Sequence, residues 1–107
     1  DKRAAPLLAQ HLLEPTTPAA DVERAAAALA LLAGPEELPA LRTFFASYRS
    51  EATDAPIVLA VAHVARALER LGSGEVVAAA VRDPYTSDQV RTKLASAGAA
   101  ASPAGGR

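Results

Sequence analysis

Glycine and proline cut this chain into six segments, and within each one the apolar side chains recur at the three- and four-residue spacing of a helix. That punctuation points to an all-α fold. A proline is tolerated only in the first turn of a helix, and the residue before it is pushed out of the helical region, so each Pro fixes a start or a stop.

The first helix is expected over about residues 2–13, with Leu8, Leu12 and Leu13 apolar, Pro6 in its first turn and a stop before Glu14-Pro15. Asp21 is a candidate N-cap for a second helix reaching residue 33. There Val22, Ala26, Leu29 and Ala33 form one stripe while Ala27 and Leu31 lie opposite, so the helix is expected to be covered on several sides. Gly34 ends it and Pro35 forbids its continuation. A third helix, about residues 36–49, aligns Leu38, Leu41, Phe45 and Tyr48, and Pro39 delays the start of its regular hydrogen bonding. The fourth opens at Pro56 and carries the stripe Ile57, Val61, Val64, Leu68 and Leu71. After the tight turn Gly72-Ser73-Gly74 come a short helix over residues 75–82, a loop over residues 83–87, and a last helix through Val90, Leu94 and Ala97 capped by Ser87 or Asp88. Residues 1–98 thus form one domain, and residues 99–107, which lack any large apolar side chain, are expected to be a disordered tail.

A chain of 107 residues holds one core and not two. Eleven Lys and Arg against twelve Asp and Glu, scattered without long runs, leave a formal net charge of −1. That pattern lacks the basic stripe that nucleic acid demands, so no nucleic-acid partner is expected. The longest apolar stretches, residues 25–33 and 55–62, fall far short of the ~18–20 residues of a spanning helix, and no membrane insertion is expected. No apolar stretch follows Asp1-Lys2-Arg3 closely enough to predict a signal peptide. With no cysteine, disulfides, thiolate nucleophiles and cysteine-ligated zinc are excluded, and cytoplasm and periplasm suit the chain equally.

Laying Gly34 over Gly72 brings Glu37 onto Glu75 and Leu38 onto Val76 at a period of 38 residues, the length of a helical-repeat unit. Glu14-Pro15-Thr16 pairs in the same way with Asp83-Pro84-Tyr85-Thr86, each loop preceding a helix that opens with Val22 or Val90. One hairpin has too little surface to bury its own apolar face, and stacked neighbours cover it. These motifs resemble the HEAT-repeat family, particularly its short bacterial form, whose units carry an acidic residue and proline in the loop, a Val-Arg pair opening the first helix, and Ala-rich turns ending in Leu-Gly. Asp83-Pro84, Val90-Arg91 and Leu94 follow that pattern, as do Glu14-Pro15, Val22, Ala25 to Leu29 and Ala33-Gly34, with Glu23-Arg24 in place of a direct Val-Arg. The middle unit keeps Asp54, Pro56 and Leu71-Gly72, but Val58-Leu59 lacks the arginine. The resemblance spans residues 3–98. It implies a short α-solenoid of about six antiparallel helices, with two full hairpins over residues 21–49 and 56–82 flanked by half-repeats, and further repeats or a capping partner beyond them.

A chemical site is harder to assemble from these residues. His11 and His63 have no partner at metal-ligand spacing, and the His-Glu pairs through which some HEAT-like enzymes hold iron do not occur. His63 falls on the side of its helix away from the apolar stripe, close to Leu59, Arg66 and Arg70, where a solvated or repeat-interface histidine is expected. Ser73, Thr86, Ser87 and the other loop hydroxyls sit where capping explains them, and Glu36-Glu37 lies in a first helical turn, where negative charge complements the dipole. Gly72-Ser73-Gly74 is too short to cradle a phosphate. No catalytic residue, cofactor or metal ligand is expected. The sequence points to a non-enzymatic scaffold or protein-binding module within a longer protein or assembly. The alternative is a regulatory or substrate-holding domain of an enzyme whose catalytic part lies outside this chain. The resemblance implies a concave face lined by second helices, which makes Arg42, Phe44 and Arg49 candidate residues for a protein partner.

Overall fold

Each of the six segments is helical in the computed structural model, which describes the backbone of residues 2–101 and the side chains of residues 3–95. The helices are α1 (Ala5–Leu13), α2 (Ala19–Leu32), α3 (Leu38–Tyr48), α4 (Ala55–Arg70), α5 (Gly74–Arg82) and α6 (Asp88–Ala101), and no strand occurs among the described residues. Pro6, Pro39 and Pro56 stand in first turns, where a missing N–H costs no intrahelical bond. The late start expected at Pro39 is a single 3-10 turn, Pro35–Glu37, that leads into α3. α2 begins before its expected cap. Pro18 takes the N-cap position with extended backbone, its carbonyl accepting from the N–H groups of Asp21 and Val22 at 2.9 and 3.0 Å, so Asp21 lies in the first turn and pairs with Arg24 at 2.6 Å. α6 continues to Ala101, so the first three residues of the expected tail are helical and its remainder lies outside the described residues.

The core is organised around α4, which packs against α2, α3, α5 and α6, most extensively against α2. Eight of its residues are buried, which its four neighbours explain. Leu12, Leu29, Leu41, Phe44, Phe45 and Leu68 are sealed from solvent, each removing enough apolar surface to stabilise the fold by ~1.5–3 kcal/mol relative to exposure. Buried alanines, among them Ala26, Ala60 and Ala67, permit neighbouring helices to approach closely. The radius of gyration, 13.0 Å, is that of a compact globule of this length. α2 departs from expectation: Leu31 is 81% exposed, because the helix lies at an edge and α1 and α4 cover only part of it.

Four of the five pairs of successive helices pack on each other. α1 packs on α2, α3 on α4, α4 on α5 and α5 on α6, whereas α2 and α3, although adjacent in sequence, have no comparable interface. Helix starts at Ala5, Leu38 and Gly74 fall 33 and 36 residues apart, and those at Ala19, Ala55 and Asp88 fall 36 and 33 apart. The spacing is therefore a little shorter than the 38 residues that the glycines suggest.

The two glycine turns close by different chemistry. Gly72 has a φ of +87°, and behind α4 the Ser73 N–H donates to Leu68 O at 2.7 Å and the Gly72 N–H to Glu69 O at 3.2 Å, the double bond of a Schellman turn. Behind α2 the equivalent donor would be residue 35. A proline there has no N–H, and Gly34 stays extended at φ −111° with its own N–H donating to Glu37 Oε1 at 2.6 Å. The orphan carbonyls are served from another helix: Arg70 Nε donates to Ala30 O at 2.9 Å and its Nη2 to Ala33 O at 2.7 Å.

Candidate functional site

The residues expected to meet a partner lie on α3, and the structure separates them. Phe44 is 1% exposed, its ring against that of Tyr48 with centroids 4.7 Å apart. This corrects the expectation of a surface anchor: α3 is contacted by both α1 and α4, so the flank on which Phe44 lies is interior. Arg42 and Arg49 do reach the surface, but each is engaged within the fold. Arg42 Nη2 donates to Ser73 Oγ at 2.9 Å, beside the start of α5. Arg49, the C-cap residue of α3, donates from Nη1 to Thr86 Oγ1 at 2.7 Å and pairs with Asp83 Oδ2 at 2.9 Å, beside the end of α5.

Around Arg49 two loops are stapled together. The Ser87 N–H donates to Arg49 O at 2.8 Å and Ser87 Oγ to Ala52 O at 2.7 Å, while that same hydroxyl accepts the Val90 N–H as the cap of α6. Arg91 closes the assembly by donating to Thr86 O at 2.9 Å and to the carbonyls of Asp83 and Pro84 at 3.3 Å. Asp83 accepts the Tyr85 N–H at 2.9 Å; that bond first, and then the Arg49 guanidinium, hold its carboxyl below the usual range against the opposing effect of burial. The loop so fixed leaves the Tyr85 side chain largely in solvent.

Beside Arg42 and Arg49, shallow grooves run between α3 and α5 and between α1 and α3. One, of about 260 Å³, lies between α3 and α5 over Phe45, Val76 and Ala80, with Ala46 and Ala79 at its rim and the Arg49–Asp83 pair at its end. A second, of about 460 Å³, runs between α1 and α3 past Pro6, Gln10, Leu13 and Ala40. A further cleft, about 630 Å³, opens where α2 and α4 end, and two of its polar groups, Arg70 and Glu37, are engaged in closing α2 and starting α3.

His11 is exposed and His63 half-buried on the outward side of α4. Burial, then the neighbouring Arg66 guanidinium, lowers the His63 pKa from its ordinary value. Among the described residues no three His, Cys, Asp or Glu side chains converge to hold a metal, and no helix is long and apolar enough to cross a membrane. The arginine bridges escaped sequence reasoning because each joins residues more than thirty positions apart; Pro35, which removes a donor from the end of α2, was the one local signal that an outside group must supply it. No family model, curated protein or solved structure matches this chain.

Proposed function

We propose that this chain is a short HEAT-like helical-repeat module, a non-enzymatic scaffold that receives a protein partner on its α1–α3–α5 side. The observation that carries this reading is the set of bridges between like ends of helices one unit apart. Arg70 at the end of α4 reaches the end of α2; Arg42 and Arg49 on α3 reach the start and the end of α5; Ser87 before α6 reaches Ala52 before α4. Such contacts favour two layers, α1-α3-α5 and α2-α4-α6, each running parallel, with antiparallel pairs between them. They give the repeat reading a geometric basis that a plain bundle would not require.

In that arrangement the α3–α5 groove is the surface best placed for recognition, since an apolar floor with a fixed ion pair at its end needs little reordering on binding. Blocking it without touching the bridges provides the test. Ala46→Arg with Ala79→Arg should leave the circular dichroism spectrum and melting temperature near those of the wild type and abolish capture of the partner in affinity purification of the full-length protein. Undiminished capture by this folded variant would remove the groove from the reading.

A further inference from the structure

We propose that this chain forms a reversible two-fold dimer through α1, in which Leu7 of each copy enters the α1–α3 groove of the other.

α1 turns Ala5, Ala9 and Leu12 into the core and leaves two leucines on its outer side, Leu7 at 69% exposure and Leu13 at 39%. Its counterpart α3 makes a different choice. When the two helices are laid over each other by their first-turn prolines, Pro6 on Pro39, α1 carries Leu7 and Leu13 where α3 carries Ala40 and Ala46. A single exposed leucine needs no explanation, but this one stands beside a groove of about 460 Å³ lined by Pro6, Gln10 and Leu13 of α1 and Ala40 of α3. A knob and a hole on one surface are what a two-fold contact requires, because each copy must supply both.

The charges on the same side of α1 fix the direction. Arg3, Leu7, Gln10 and Glu14 follow at spacings of four, three and four residues, which places them in one stripe along the helix. Arg3 precedes the start of α1 and Glu14 caps its end, so each carries the sign that the dipole of its own helix disfavours. A second α1 laid antiparallel reverses that relation at both ends. In the register that sets Arg3 of one copy against Glu14 of the other, Leu7 falls opposite Gln10, between Pro6 and Leu13 at the mouth of the groove. A parallel pair would bring Arg3 to Arg3 and Glu14 to Glu14.

The size of the contact sets its strength. At 1.5 Å per residue the nine residues of α1 span about 14 Å, and a footprint of that length and about 10 Å width falls well short of the ~800 Å² per partner of a standard interface. The dimer therefore dissociates on dilution.

Sedimentation equilibrium of the 107-residue chain from about 10 μM to about 1 mM tests this. The wild type should pass from monomer to dimer across that range and go no further, since a two-fold contact is closed. Leu7→Lys should stay monomeric at the highest concentration with its circular dichroism melt near that of the wild type, whereas Leu31→Lys, at the more exposed leucine on α2, should dimerise as the wild type does. Arg3→Glu and Glu14→Arg should each weaken the dimer severalfold, and their combination should restore it. A wild type that remains monomeric throughout leaves the groove to another occupant and overturns the proposal. So does association beyond the dimer, a dimer that survives Leu7→Lys, or a double charge reversal no stronger than the single ones.

Discussion

Arg70→Met keeps the aliphatic stem of the side chain and deletes the guanidinium that closes the end of α2. Two of its bonds are short, to Ala33 O at 2.7 Å and Ala30 O at 2.9 Å, and a third to Leu29 O, at 3.4 Å, adds little. Hydrogen bonds from a charged donor contribute roughly 1.5–3 kcal/mol each, and a cation at a helix C-terminus about 0.3–1 kcal/mol more. Arg70 is exposed, however, so water replaces it at both carbonyls in the variant. We expect a net loss of about 1–2 kcal/mol after that discount, which lowers Tm by about 4–16 °C in a domain of this size. Urea unfolding followed by circular dichroism measures it. The sharper test is the cycle with Pro35→Ala, which restores the N–H that a Schellman turn at Gly34 lacks. In that background Arg70→Met should cost less, by about 0.5 kcal/mol or more. An identical loss with and without Pro35 would refute the idea that the arginine stands in for the missing donor.

Three further perturbations follow from the same contacts. Gly72→Ala forces a Cβ onto a φ of +87° and should destabilise by about 1–2 kcal/mol, whereas at Gly34 the backbone is extended and a Cβ meets the movable Glu36 Oε1 at 3.0 Å and Glu37 Oε1 at an ordinary 3.7 Å, so Gly34→Ala should stay within about 0.5 kcal/mol of the wild type; equal costs in urea would mean that the two turns are equivalent after all. Phe44→Ala should cost about 3–5 kcal/mol, seen as a large drop in the urea midpoint, and a loss under about 1 kcal/mol would contradict its burial. Because the Asp83 carboxyl is held below its ordinary pKa, the stability from its contacts with Tyr85 and Arg49 is complete above about pH 4 and is lost as pH falls through the lower folded value; Asp83→Asn should flatten the acid limb of stability against pH, and an unchanged limb would count against it.

The sequence by itself determined that this chain is helical and roughly where each helix lies, because proline geometry, glycine turns and apolar spacing act within a few residues. Pro39 announced a late start to α3, the stripe Val61, Val64 and Leu68 announced the buried side of α4, and of the two candidate caps of α6, Ser87 and Asp88, it is Ser87 that accepts the Val90 N–H. It did not determine which neighbour would cover each face of a helix. Leu31 and Phe44 show the consequence in opposite directions: Leu31, on a helix expected to be covered on several sides, is open to solvent, and Phe44, expected to meet a partner, is sealed, since exposure depends on whether a helix from elsewhere arrives to cover that flank. Arg42 and Arg49 looked like free anchors and became fastenings because Ser73, Thr86 and Asp83, which flank α5, are brought to them. Only the tertiary structure could decide these points, for a guanidinium has the same five donors wherever it stands, and what it does with them depends on which carbonyls and carboxylates packing leaves within reach.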